Sequence, residues 1–287
     1  MFLLVRAGFA QTLIQDNRDV ASDSPEGWAM RYFAGTTLMT SFGETTRLAP
    51  WRWNAAVELG AIPHLSDTQQ HVGFGGSKQE DLNKSPVFGR LRLALGLPGD
   101  WLAEFGLTPP LQLAGSQART VFALAVGRRL FESDGFSLSA RALGQLGKVD
   151  GDITCPRHSA GNSDLATNPF GCRVPSQDTF TTGYYGIDAT LGWNAGAWQV
   201  YASGGIARAL LTVQVDAFVA ETHDRSRITS NGSLPWVTFG ARYGFDPRWS
   251  VAVEMLYVPL DVRRAPEFAN VSDPLWSVRG QLRYSFD

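Results

Sequence analysis

The chain has 287 residues, of which 44% are hydrophobic, 11% aromatic and 18% charged, which excludes a disordered polymer and supplies material for a large core. Its 25 Lys and Arg stand against 27 Asp and Glu, a net charge of −2, so there is no basic stripe for a phosphate backbone and no nucleic-acid partner is expected. No run of about 18 apolar residues exists for a membrane-spanning helix; the nearest, 189 to 207, is broken by the turn residues Asn194-Ala195-Gly196.

The chain opens on the apolar Met1-Phe2-Leu3-Leu4-Val5, interrupted by Arg6, and Ala7-Gly8-Phe9-Ala10-Gln11 has the small residues of a signal cleavage site without a basic n-region before it. Residues 1–27 therefore read as a truncated signal remnant, a first strand with its connecting segment, or both. From there on, apolar residues alternate with polar or small ones, the period of strands whose two faces meet different surroundings. The alternation predicts strands at about 28 to 42, 51 to 62, 86 to 97, 101 to 111, 119 to 131, 136 to 147, 180 to 193, 197 to 213, 234 to 245, 249 to 260 and 274 to 286. Leu91, Leu93, Leu95 and Leu97, for example, share one face, and Arg90, Arg92, Ala94 and Gly96 the other.

Connections alternate in length. Pro98-Gly99-Asp100, Glu132 to Gly135, Asn194 to Gly196 and Asp246-Pro247-Arg248 are short, and longer segments lie between them, so short turns mark one rim and long loops the other. Aromatic residues flank every short turn: Trp101; Phe131 and Phe136; Trp193 and Trp198; Phe245 and Trp249. Single cases anchor hairpins in soluble sheets, but repetition has the form of an aromatic girdle.

With these features the chain resembles the Gram-negative outer-membrane β-barrels, porin-like in class, over roughly residues 28–287. The resemblance implies an all-β transmembrane antiparallel up-and-down barrel, set among outer-membrane lipids and placed there by the barrel-assembly machinery. It also implies a last strand ending in an aromatic assembly signal, which Tyr284 and Phe286 match, with Asp287 one residue beyond. Such barrels have even strand numbers, so a further strand at about 3 to 15 would complete about 12, with 10 or 14 as alternatives.

The face opposite the lipid would line the lumen with Arg31, Glu58, Arg90, Arg92, Glu104, Arg129, Arg141, Asp188, Arg242, Glu254, Arg279 and Arg283. An excess of guanidinium favours passive transport of small polar or anionic solutes. The signs, however, are ordered along neighbouring strands: Glu58 beside Arg90 and Arg92, those beside Glu104, and Arg242 beside Glu254 beside Arg279. Such a ladder equally suits a closed structural or adhesion barrel presenting its outer loops. A membrane-embedded hydrolase comes third, because His64, His71, His158 and His223 all lie in loops or at strand ends, with only Ser159 and Ser226 as nearby hydroxyls. No catalytic residues, metal or cofactor are expected.

Cys155 and Cys172 share one long segment, where a disulfide suits an oxidising assembly route; a metal site using them with His158 lacks a fourth ligand. Gly73 to Lys78 has the composition of a phosphate loop without its spacing, and Asn231-Gly232-Ser233 reads as turn chemistry.

Overall fold

The computed structural model describes residues 12–43, 48–110, 112–113, 116–266 and 269–286. Ten strands form its wall: β1 (Trp53–Ala61), β2 (Val87–Leu97), β3 (Trp101–Thr108), β4 (Ser116–Ser133), β5 (Phe136–Gly151), β6 (Asp178–Ala195), β7 (Trp198–Gln214), β8 (Arg227–Gly244), β9 (Trp249–Val258) and β10 (Leu275–Ser285). Each pairs antiparallel with its neighbours in sequence, and β10 returns to β1, from Arg279 opposite Gly60 to Ser285 opposite Asn54. The sheet closes on itself, so over the span that all ten strands share the wall has no free side edge.

Alternation sets the two faces of the wall. Leu91, Leu93, Phe122, Leu124, Ile187, Leu191, Val251 and Val253 point outward and are exposed, whereas Ala123, Ala125, Leu143 and the charged residues between them are buried. An apolar surface encircling the molecule is far larger than a soluble protein exposes, and it belongs against hydrocarbon. Short turns join β2 to β3, β4 to β5, β6 to β7 and β8 to β9 at one rim, where Asp134 and Gly135 both take positive φ in a two-residue hairpin. There the girdle aromatics pair, Trp198 with Tyr243 at 4.6 Å and Trp249 with Tyr284 at 4.8 Å between ring centroids. Phe286 stacks edge-on against Tyr284 at 4.9 Å.

The wall has ten strands where about twelve were expected, and the difference lies entirely at the N-terminal end. The stretch 28 to 42 is not a strand. Helix α1 (Pro25–Thr36) occupies its first part, and an extended segment follows that joins no ladder. Of the strand expected at 3 to 15, residues 3–11 lie outside the described residues; Thr12–Ile14 pairs parallel with Thr222–Asp224 in an outer loop. Asn17–Asp19 then pairs parallel with the start of β8, and α1 leads the chain into the bore.

Helix α1 starts where Ser24 Oγ accepts the Gly27 N–H at 3.1 Å and Pro25 supplies the preset φ of a first helical turn. Gly27 is required there, because a Cβ would fall 2.1 Å from the Ala21 carbonyl oxygen. The helix is buried nearly all round, with Trp28, Ala29, Met30, Tyr32 and Ala34 packed against wall residues such as Leu211, Leu234 and Val258. Residues 37–43 continue down the bore, and at the short-turn rim, where β1 begins, Trp51 N–H donates to the Gly96 carbonyl at 2.8 Å. The N-terminal segment thus threads the barrel from the long-loop rim to the short-turn rim.

Among the long loops, that between β5 and β6 carries the Cys155–Cys172 disulfide, with Cα atoms 5.6 Å apart and both residues packed on Val215 and Ala217. Closing a loop with a sequence separation of 17 restricts the unfolded loop by roughly 3 kcal/mol. Reduction is expected to open residues 156–171 to proteases while the barrel keeps its heat-modifiable mobility on gels. Equal cleavage with and without reductant would show that the bridge does not hold the loop.

Candidate functional site

The arginines inside the barrel converge on the threaded segment. The carbonyls of Gly35, Thr36 and Leu38 accept from the Arg279 guanidinium at 3.0, 2.8 and 2.6 Å. That of Thr37 accepts from Arg90 at 2.5 Å, that of Met39 from Arg141 at 2.9 Å, that of Thr40 from Arg92 at 2.9 Å, and that of Phe42 from Arg242. Two physical needs are met together. The last carbonyls of α1 have no partner within the helix and form the negative end of its dipole, so a guanidinium there caps and neutralises it. Beyond the helix, an extended backbone outside any sheet must find donors for its buried carbonyls, and the fork of arginine supplies several at once.

The carboxylates hold these arginines in place. Glu58, wholly buried, accepts from Arg92 Nε at 2.7 Å and lies 3.6 Å from Arg90 and 3.7 Å from Arg279. Glu104 bonds Arg141 at 2.9 Å and approaches Arg92 to 3.7 Å, and Asp188 takes Arg141 in a two-point contact. Glu254 accepts from the Thr40 hydroxyl and, at 3.2 Å, from Tyr201 OH. The segment's amide side is served as well, since Met39 N–H donates to Tyr184 OH at 2.8 Å.

The register brings Glu58 opposite Arg90, Arg141 opposite Asp188 and Glu254 opposite Arg279. Arg242, expected beside Glu254, instead stands opposite Ala252 and reaches the Phe42 carbonyl. Arg129 lies at the short-turn rim with Glu132, and Arg283 donates to Gln281 at 2.9 Å. Arg31 is placed differently from its expectation: it sits on α1, inside the barrel but not on the wall, and donates to the Ser22 and Asp261 carbonyls at 2.9 and 3.0 Å. Sequence reading missed the threaded residues themselves, although Ser24-Pro25-Glu26 is a helix start.

The histidines stay at the outer end. His223 Nε2 lies 2.7 Å from Asp216 and its ring stacks on Phe218, His158 faces Asp81 at 3.6 Å, and His71 contacts the Asp67 carbonyl. Ser159 donates to the Pro156 carbonyl and Ser226 accepts from Asp16 N–H, so both hydroxyls engage backbone. Nearby, burial raises the Asp152 carboxyl, but hydrogen bonds from Lys84 and the Arg157 N–H outweigh it and leave the group below its ordinary range.

The sequence matches no protein-family profile and no curated protein. Solved structures are similar in fold. The outer membrane protease OmpT of Escherichia coli is 11% identical, with 85% of this chain and 100% of that one aligned and a TM-score of 0.40. The translocator domain of the autotransporter NalP from Neisseria meningitidis is 10% identical over 85% and 90%, at 0.44. The Pseudomonas putida toluene transporter TodX is 11% identical over 96% and 78%, at 0.33. The closed antiparallel wall, its apolar outer face and its aromatic rim are those of a transmembrane β-barrel of the outer-membrane type.

Proposed function

We propose that the protein is a plugged barrel for the passage of small molecules, in which the segment from α1 to Phe42 must withdraw before anything crosses along the axis. One observation carries the reading: the wall grips this segment through side chains. Among the described residues, no backbone ladder joins 25–43 to the barrel. A segment held this way can leave without breaking the sheet. Once it leaves, Arg90, Arg92, Arg141, Arg242 and Arg279 outnumber Glu58, Glu104, Asp188 and Glu254 around the bore, which favours polar anions.

Planar-bilayer conductance tests this. The intact protein should be nearly silent, and the double substitution Arg92→Ser with Arg279→Ser, which removes the donors to Gly35, Thr36, Leu38 and Thr40, should produce discrete openings; with three of these arginines left against four carboxylates, the openings should favour cations. An intact protein that conducts steadily would sink the proposal. A silent double variant whose segment 25–43 has become protease-sensitive would favour the closed structural barrel, for which the pairing of Glu58 with Arg92 and of Arg141 with Asp188 speaks.

A further inference from the structure

Strand β3 stops short of its neighbours. Its ladder with β2 ends at Leu107 opposite Leu91, and its ladder with β4 ends at Thr108 opposite Val121. Towards the long-loop rim, Val87–Arg90 pairs only with β1. There Ser116–Thr120 pairs with β5, and the short return strand Gln112–Leu113 covers only Ser116 and Gln117. Among the described residues, the wall is therefore notched between the outer ends of β2 and β4.

Behind the notch lies a cavity of about 440 Å³, which reaches Met30 and Phe33 on α1 and Phe180 and Val213 on the far wall. Its lining also includes Leu59 and Val87, whose side chains belong to the outer face and are 59% and 44% exposed. The cavity is thus continuous with the surface that faces lipid. The charged residues along it are already paired: Glu80 with Lys78 at 2.5 Å, Lys84 with Asp81 and Asp152 at 2.6 and 2.9 Å, Glu26 with Arg18 at 3.1 Å, and Asp150 with Arg119. Burial pushes the Glu80 carboxyl up to about 8 despite Lys78.

We propose that this cavity binds a small uncharged apolar molecule that enters sideways from the outer leaflet through the notch between β2 and β4. Its volume is that of a small-ligand pocket, and its walls are mainly apolar; the buried Thr108 and Thr182 hydroxyls, which lack partners among the described residues, are too few to replace the hydration of a charged guest. Apolar compounds collect in the hydrocarbon layer, which the exposed Leu59, Leu91 and Phe122 at the foot of the notch face, while the arginine-held segment blocks the axial route. The site goes beyond the plugged-barrel reading and does not require the segment to withdraw.

The full chain in phosphatidylcholine vesicles would be photolabelled with two probes: free 3-trifluoromethyl-3-phenyldiazirine, and a phosphatidylcholine carrying the same group on one acyl chain. Labelled residues are mapped by mass spectrometry. Both probes should label Met30 or Phe33, and excess naphthalene should abolish that labelling while leaving outward Leu93 labelled. Met30→Trp, which fills the cavity, should abolish labelling of Phe33; the naphthalene competition needs no variant at all. Labelling of α1 by the free probe alone would overturn sideways entry, and no labelling of α1, or labelling that naphthalene leaves unchanged, would overturn the site. Conductance reports separately on withdrawal, so a silent bilayer with a labelled α1 removes only the channel reading.

Discussion

Glu58→Ala should destabilise the barrel more than any other single change in the bore. The carboxylate is wholly buried and faces Arg90, Arg92 and Arg279 at 3.6, 2.7 and 3.7 Å, so its removal leaves three guanidinium groups crowded together without their shared counter-charge. Removing one partner of a buried pair costs about 3–5 kcal/mol, and Glu58 serves more than one pair. The loss would also loosen the threaded segment, because the same arginines hold Gly35 to Leu38 and Thr40. Urea titration of detergent-refolded protein, followed by gel mobility, gives the free energy directly. A change within about 0.5 kcal/mol, the range of an ordinary surface substitution, would mean that Glu58 does not organise the arginines.

The second large effect is expected at the other end of the plug. Trp28 is fully buried, its Nε1–H donates to the Asp273 carbonyl at 2.9 Å, and the Arg264 guanidinium lies 4.7 Å above its ring. Trp28→Ala removes the largest side chain with which α1 packs, at a cost of about 3–5 kcal/mol by analogy with other buried aromatic truncations. Most of that cost should fall on the docking of α1, because the ladders of the wall do not pass through residue 28. Limited proteolysis should therefore cut within 25–43 in the variant and not in the parent, while β1 to β10 stay intact. An uncut helix in the variant would mean that the lower contacts suffice to seat it.

The wall was legible because its signals repeat. Strict alternation, short turns on every second connection and aromatic pairs beside them all follow from a sheet with lipid on one side, and each strand carries them independently. The ion-pair ladder was legible for the same reason: Glu58 and Arg90, or Arg141 and Asp188, need only the correct register to meet. The threaded segment carried no such pattern. A helix enclosed on every side loses the amphipathic period, and Trp28-Ala29-Met30-Arg31-Tyr32 imitates a strand with an apolar face. Only the local start at Ser24-Pro25-Glu26 announced it. The partners of the surplus arginines were invisible in principle, because a backbone carbonyl is present at every residue and leaves no mark in composition.

That last point constrains how the plug can vary. From Gly35 to Thr40 the wall grips peptide oxygens, a feature shared by all twenty amino acids, proline included. That grip on the backbone is blind to identity, but the hydroxyls of Thr37, Thr40 and Ser41 are bonded as well, to Gln145, Glu254 and Thr190, so that only Leu38 and Met39 are constrained chiefly by volume, whereas each arginine opposite the segment is tied to a fixed reach and fork. Evolutionary freedom should therefore be lopsided, with the lock confined to a narrow set of residues and the bolt open to many only where, as at Leu38 and Met39, its side chain makes no hydrogen bond.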